Sequence, residues 1–489
     1  MARSEQELIR FEKLAKLRES GFIFPNDVKK GVPTSSVREA VIPEGEERGE
    51  AFCVQGRIVA KRMMGKAAFV HIQDREGKLQ LYVRKDEIGD EAYEEFREFD
   101  IGDIVECAGQ LFLTKTGEKS LWASSLRLLT KSLIPLPEKW HGLKDVEARY
   151  RQRYVDLIAN PDVANVFRTR AQVIKEIRRF LDDRGYVEVE TPVLQTVPGG
   201  ADARPFVTHH NTLDVEMKLR ISLELPLKKL IVGGLERVYE MSRVFRNEGI
   251  SKKHNPEFTT IEFYQAYATF DDLMQLTEEM LSSLVEKVCG STKITFDEQE
   301  IDFAAPWTRV SMQESIHTLG GIERDVDLST VEGVQKVAAA HKIELPEPND
   351  WGRSLNELWG ELVEPNIINP TFITHHPLSI SPLARKNQEN PLVTDRFELV
   401  VAGMELANAF SELNDAQDQR ERFEGQAMRK AAGDEEASDI EEDFITALEY
   451  GMPPTAGQGI GIDRLVMLLT NSRTIRDVIL FPQMKPKEA

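Results

Sequence analysis

Residues 243–267 read RVFRNEGISKKHNPEFTTIEFYQAY, and their pattern decides the fold of the larger part of the chain. Strand-like runs at 237–247 and 257–268 flank a short polar loop at 249–256. Two long strands so close in sequence imply an antiparallel sheet. In the second run, a period of two puts Phe258, Glu262 and Tyr264 on one face. In the first, Arg246 and Glu248 share a face and lead into Lys252, Lys253 and His254. An arginine beside a lysine-rich turn can clamp phosphates, because a guanidinium matches two phosphate oxygens in plane. An exposed basic hairpin is the plain alternative.

Working outward, further strand-like segments occur at 186–190, 205–208, 395–402 and 404–412, and 163–184 reads as an amphipathic helix ended by Gly185. On the strand that runs to Leu413, Asn408, Phe410 and Glu412 share a face. Each of these strands thus carries an aromatic ring and a carboxylate on the same side. Were the two faces to meet, the pocket would suit a ligand with an apolar stem and a cationic tip, such as lysine. Two ordinary solvated strand faces remain the alternative on parity alone. Glu398 and Glu405 are acids on otherwise apolar segments, and a bulge at Gly403 would let both face one site. Hard oxygen ligands of this kind suit Mg²⁺ when a triphosphate completes the coordination, with a buried salt bridge as the rival reading. Gly457, Gly459 and Gly461 alternate before Asp463, Arg464 and an apolar helix, which leaves one strand face bare for a flat ring or a phosphate. The spacing is not that of a dinucleotide fingerprint, and no βαβ unit surrounds it.

Towards the amino terminus the pattern changes. Ser4 and Glu7 make a capping box for a helix carrying Leu8, Phe11 and Leu14, closed by Gly21. Short β runs follow at 53–58, 67–73, 79–83, 104–113 and 120–126, with a helix near 90–98. Five strands and one helix suit a small Greek-key barrel of the OB type, although another small barrel such as an SH3-like one has similar runs. Such barrels hold single-stranded nucleic acid with cations and stacked rings, and Phe69, Tyr82 and Trp122 are candidates for stacking. The net charge of −20 counts against a general nucleic-acid coat. Residues 51–85, however, hold Arg57, Lys61, Arg62, Lys66, Arg75, Lys78, Arg84 and Lys85 against Asp74 and Glu76, a local excess of six positive charges. A solvated charged face is the alternative there.

With 489 residues, 41% hydrophobic and 29% charged, the chain fits a multi-domain soluble enzyme. It has no apolar run of membrane-span length and no signal core, so the cytoplasm is expected. Cys53, Cys107 and Cys289 form no CxxC pair, which argues against a disulfide framework or a thiolate zinc site. The pairs His209-His210 and His375-His376 have no acid or thiol at ligand spacing and read as structural or solvated. The acidic stretch 434–443 reads as an exposed loop or helix start.

Together these segments resemble the three signature motifs of class II aminoacyl-tRNA synthetases. Residues 185–192 (GYVEVETP) look like motif 1, whose proline lies at a dimer interface. Residues 245–258 look like motif 2 and residues 459–464 (GIGIDR) like motif 3. The OB-type barrel resembles that of subclass IIb, and residues 243–267 and 410–415 (FSELND) are similar to the lysine-specific family within it. The resemblance implies an α+β chain: a helical extension at 1–49, an anticodon-binding OB-fold at 50–132, a linker at 133–150 punctuated by Pro135 and Pro137, and a class II catalytic domain at 151–489 with a helical insertion near 310–365. It implies a homodimer that activates L-lysine with ATP and Mg²⁺ and loads tRNA(Lys).

By the same resemblance, Arg246 would hold the α-phosphate and the lysine carboxylate, and Arg246 and Arg464 would be the catalytic pair. Glu248, Lys253, His254 and Asn255 would contact ATP, Phe258 and Arg464 would sandwich adenine, and Glu398 and Glu405 would bind Mg²⁺. Glu224, helped by the Gly199-Gly200 turn, would take the lysine α-amino group. Glu262, Tyr264 and Glu412 would take the ε-ammonium, with Asn408 and Phe410 along the stem. Phe69, Gln80 and Glu118 would read the anticodon. The sequence departs from the family pattern at Pro226, Lys253, Met404 and Ala409. An aspartyl or asparaginyl enzyme shares this architecture, but Glu262 and Glu412 would repel a carboxylate side chain. A lysine ligase acting on elongation factor P would lack the barrel, and a non-catalytic paralogue would tolerate loss of Arg246 and the paired acids.

Overall fold

A computed structural model of the chain describes residues 3–137, 143, 145–433 and 439–486. Part of the segment expected as a linker, and residues 434–438 of the acidic stretch, lie outside the described residues. The chain divides into two units, Met1–Lys144 and Asp145–Ala489. Residues 145–150, expected as linker, belong to the second unit and enter the helix Val146–Arg151.

In the first unit, helix α1 (Glu5–Glu19) starts at a reciprocal cap: Ser4 Oγ accepts from the Glu7 N–H, and the Glu7 carboxylate accepts from the Ser4 N–H. Strands β1 (Arg48–Met64), β2 (Ala67–Asp74), β3 (Gly77–Arg84), β4 (Ile104–Leu113) and β5 (Lys119–Thr130) close a barrel in the order β1-β2-β3-β5-β4. The pair β3/β5 is parallel and the others are antiparallel. Alternate residues such as Val70 and Ile72, or Leu79, Leu81 and Val83, fill the interior. Helix α2 (Asp90–Arg97) adds Tyr93 and Phe96 to that core.

The expected basic patch is largely spent within the unit. Lys61 donates to the carbonyls of Phe96, Arg97 and Phe99 at 2.7, 2.9 and 2.8 Å, at the end of α2 where helix carbonyls lack partners. Arg57 donates to the Gly102 carbonyl, Arg75 pairs with Glu76, Arg84 with Asp86, and Lys85 with Asp90 and Glu94. The excess counted over 51–85 shrinks because acids just beyond it in sequence fold back onto it.

The second unit is built on a sheet of eight strands among the described residues. These are β6 (Val187–Glu188), β7 (Arg237–Phe245), β8 (Glu257–Ala266), β9 (Thr308–Ser311), β10 (Thr371–Thr374), β11 (Arg396–Val401), β12 (Met404–Ser411) and β13 (Thr455–Gly461). Their order is β9-β10-β11-β12-β13-β8-β7-β6, antiparallel except for the outermost pair at each edge. Helices α3 (Pro161–Asp182), α5 (Phe270–Cys289) and α6 (Ile462–Leu469) cover one face; α4 (Glu224–Val232) lies elsewhere and belongs to the site. Odd residues of β8 (Ile261, Phe263) and of β12 (Ala407, Ala409), and even residues of β13 (Ala456, Ile460), pack under α3, α5 and α6. The alternate residues of all three strands therefore face away from that core. Between β9 and β10 run the helices Met312–Thr318, Val331–His341 and Trp351–Leu362, which share a hydrophobic cluster of their own.

Candidate active site

Strand order makes the site. Strand β13 lies between β12 and β8, and its register pairs Gly459 with both Asn408 and Glu262, and Gly457 with both Phe410 and Tyr264. The two faces that parity marked separately are thus on one sheet face, with a bare glycine strand as the floor between them. A Cβ at Gly457 would clash with the Tyr264 ring and the Glu412 carboxylate. Above this floor is a cavity of about 320 Å³ lined by Gly200, Glu224, Arg246, Glu248, Lys253, His254, Asn255, Phe258, Glu262, Tyr264, Glu405, Asn408, Phe410 and Arg464. Among the expected catalytic-unit residues, Glu398 and Glu412 lie outside that lining. Glu398 is paired with Asn408 one strand further out, and the Glu412 carboxylate is buried against Gly457 on the same face as the Tyr264 ring.

One end of the cavity is acidic. Glu262 accepts from the Leu223 N–H at 3.0 Å and the Tyr264 hydroxyl at 3.1 Å. Burial, then the neighbouring Glu224, pushes its pKa up to about 7. Burial likewise raises Glu224 and lifts Glu412 well above the ordinary carboxylate range. One Glu412 oxygen is ion-paired with Lys228, and the other has no hydrogen-bond partner among the described residues. A buried carboxylate left in this state calls for a cationic donor. Gly200 adopts φ +90°, and a side chain there would strike Ser222 and Glu224; Ser222 Oγ donates to the Gly199 carbonyl at 2.7 Å. The glycine turn therefore lies directly against the Glu224 side chain. Pro226 falls in the first turn of α4, where its missing N–H costs no helical hydrogen bond. Met404 and Ala409 belong to the helix-facing core and leave the cavity wall unchanged.

The other end is basic. Arg246 follows β7, donates to the Ile221 carbonyl at 3.4 Å, and holds its guanidinium 5.3 Å from the Phe258 ring centroid. Lys253 donates to the Gly403 carbonyl at 2.9 Å. His254 Nδ1 lies 2.9 Å from Ser251 Oγ and its Nε2 lies 3.4 Å from an Arg464 nitrogen; burial, then Arg464, lowers its pKa. Asn255 donates to the Glu257 carbonyl at 2.7 Å and leaves its own buried oxygen without a partner. Arg464 donates to the Glu405 carbonyl at 2.6 Å, while Asp463 accepts from the Thr259 N–H at 2.7 Å and pairs with Arg170.

Glu398 and Glu405 share this sheet face, but the bulge responsible is not at Gly403. The register slips between Leu399 and Val400, opposite Leu406, whereas Ala402 and Gly403 form the positive-φ turn. The extra residue moves Glu405 onto the cavity side. The buried salt-bridge alternative fits Glu398, which pairs with Arg396, whereas the pair of Glu405 with Arg464 is partly exposed. Arg396 and Lys228 are the residues that sequence reasoning missed. Arg396 has the parity of Glu398 and also donates to Asn408 Oδ1 at 3.0 Å. Lys228 stands four residues after Glu224 on a helix, a spacing that pairs side chains. The histidine pairs are structural or solvated: His376 is buried against the Ile373 carbonyl and His209 is exposed beside Asp214.

On the barrel, Phe69, Tyr82 and Trp122 form one cross-strand row, with Phe69 and Tyr82 stacked at 4.8 Å between centroids. His71 links the other two anticodon candidates: it is paired with Gln80 and lies 3.5 Å from Glu118. Gln80 is itself buried and donates to Ser120.

Residues 145–485 match the family model described as tRNA synthetases class II (D, K and N), and residues 52–129 match that of an OB-fold nucleic acid binding domain. A lysine–tRNA ligase of Moorella thermoacetica (strain ATCC 39073 / JCM 9320) is 53% identical over 100% of this chain and 99% of its own. Those of Bacillus subtilis (strain 168) and Cronobacter sakazakii (strain ATCC BAA-894) are 50% and 51% identical, over 99% and 98% of this chain and 98% and 95% of theirs. The chain belongs to the lysine–tRNA ligase family of class II tRNA synthetases. In this synthetase the glycine floor, Glu224 and Glu262, and the basic residues of the loop after β7 line one cavity. None of its described helices is long and apolar enough to cross a membrane.

Proposed function

We propose that the chain is a lysine–tRNA ligase, which joins L-lysine to ATP as lysyl-adenylate and then passes lysine to the 3′-terminal adenosine of tRNA(Lys). The observation that carries this reading is Glu412, a buried carboxylate beside Tyr264 and Phe410 whose ion pair with Lys228 takes one oxygen and leaves the other without a partner among the described residues. The lysine ε-ammonium meets Glu412, Glu262 and Tyr264, its stem runs between Phe410 and the glycine floor past Asn408, and its α-amino group meets Glu224 and the Gly200 turn. Arg246 then holds the substrate carboxylate against the α-phosphate.

A carboxylate with a pKa of roughly 3.5 is ionised at neutral pH, so its attack on the α-phosphate needs no general base. Catalysis becomes positioning plus charge neutralisation. Arg246 and Arg464 supply the positive charge, Phe258 and Arg464 bracket adenine, and Glu248, Lys253, His254 and Asn255 hold the nucleotide. A monodentate Lys253 would reach the γ-phosphate after leaving the Gly403 carbonyl. Glu398 and Glu405 suit Mg²⁺: two acids on one face cannot hold it alone, but triphosphate oxygens would supply the remaining ligands. The ion would neutralise triphosphate charge. On the barrel, Phe69, Gln80 and Glu118 read the anticodon. Strand β6 is a sheet edge with Val187 half exposed, which supports pairing of two copies through residues 185–192. A cytoplasmic location follows from the substrates.

ATP–pyrophosphate exchange with each amino acid in turn tests the reading. Exchange with lysine alone is expected; exchange with aspartate, or with no amino acid, overturns it.

A further inference from the structure

Nothing in the roles above uses Lys228. It is fully buried on α4, one turn after Glu224. Its Nζ lies 2.5 Å from Glu224 Oε1 and forms a second ion pair with Glu412. The Phe410 and Phe444 ring centroids lie 5.3 and 5.7 Å from the same nitrogen. Burying an ammonium is a poor way to fill such a space, because an apolar side chain of the same volume avoids the desolvation penalty. Charge explains the choice better than volume.

Glu224, Glu262 and Glu412 together bring three buried acids to one end of the cavity. Lysine brings two ammonium groups, and its carboxylate faces Arg246. One negative charge is left over, and Lys228 matches it. We propose that Lys228 is a positioning residue that determines specificity for lysine: its charge opposes the burial that favours protonated Glu224 and Glu412 and holds both in place, so that pocket charge equals substrate charge once lysine is bound.

The charged and titratable groups around it fit this role. Glu224 faces Lys228 from its own helix and Glu412 from the end of β12. Glu262 and Tyr264 on β8 act on those two acids, as does Arg396 on Glu224. From the helix Glu442–Glu449 the neighbour is the uncharged Phe444, while the acids Glu441 and Asp443 are taken by Lys229. Without the Lys228 charge, burial would leave one of its two acids protonated at neutral pH. That acid would then accept one hydrogen bond fewer from an ammonium group.

The proposal rests on the lysine reading, and the two fail separately. Lysine-dependent exchange by the wild-type enzyme tests the reading. Lys228→Met tests the proposal: the lysine KM should rise roughly tenfold or more, with the ATP KM nearly unchanged. Raising the pH from about 7 to 8.5 should recover part of that loss, because the protonated acid ionises. Lys228→Arg, which restores the charge, should keep most of the affinity. An unchanged lysine KM, a loss shared equally by ATP and insensitive to pH, or no rescue by arginine overturns the proposal. Should the methionine variant not fold, calorimetry of the wild type at about pH 8 in two buffers decides: lysine binding should release less than about 0.3 proton, and release of a whole proton overturns it.

Discussion

Tyr264 and Phe410 stand on either side of Gly457, which is paired with both of them. The Tyr264 ring and the Glu412 carboxylate lie where a side chain of Gly457 would stand, an arrangement possible only because that residue has none. Gly457→Ala should therefore act on lysine rather than on ATP. Overpacking of about 1–3 kcal/mol is expected, with the lysine KM raised several-fold or more and the ATP KM little altered in pyrophosphate exchange. An unaltered lysine KM would show that the ring spacing does not define the subsite.

Glu262 makes lysine recognition depend on pH. Its pKa of about 7 lies above its ordinary value of 4.5. In the free enzyme the stability associated with this group is therefore full below 4.5 and is lost as pH rises through 7. A bound ammonium compensates the ionised form. Lysine affinity should weaken below about pH 7, by at most tenfold per unit, and lysine should raise the Tm more at about pH 8 than at pH 6. Equal shifts at the two pH values would remove Glu262 from the ammonium site.

Glu412→Gln should cost about 2–5 kcal/mol of lysine binding, because a buried charge partner is lost. ATP affinity should be nearly kept, since the basic end of the cavity is untouched. Equilibrium dialysis with labelled lysine measures this directly; wild-type affinity would mean that the ε-ammonium binds elsewhere.

Phe69→Ala removes one ring of the Phe69–Tyr82 stack on the barrel and nothing from the catalytic unit. Loss of a stacking ring costs roughly 1–3 kcal/mol per base. Aminoacylation should need more tRNA, with lysine-dependent exchange unchanged. A matching fall in both activities would contradict the division of labour between the two units.

Much of this site was legible because strand parity is a local property. Alternation alone put Glu262 with Tyr264 and Asn408 with Phe410, and the glycines at 457, 459 and 461 marked a bare face. Strand order is not local: nothing in residues 455–461 says that they run between β8 and β12, so only the register shows that the two faces adjoin. The bulge was misplaced at Gly403 for a related reason, since glycine suits a positive-φ turn as well as a bulge, and the slip occurs opposite an unremarkable Leu406. Lys228 escaped notice because a lysine beside Lys229 on an apolar helix looks like a solvated one, and its second partner, Glu412, is far away in sequence. Part of the barrel's charge excess is offset by acids outside the window in which it was summed: Asp86 beside Arg84, and Asp90 and Glu94 beside Lys85.

The glycine strand has one more consequence. The strands that carry Tyr264 and Phe410 are two spacings apart, roughly 9.6 Å, a distance set by backbone hydrogen bonds, and the Tyr264 ring leans over Gly457 within it. On the proposed lysine reading, the sheet therefore fixes how far apart the two strands stand, while the Tyr264 ring sets how much of that interval stays open.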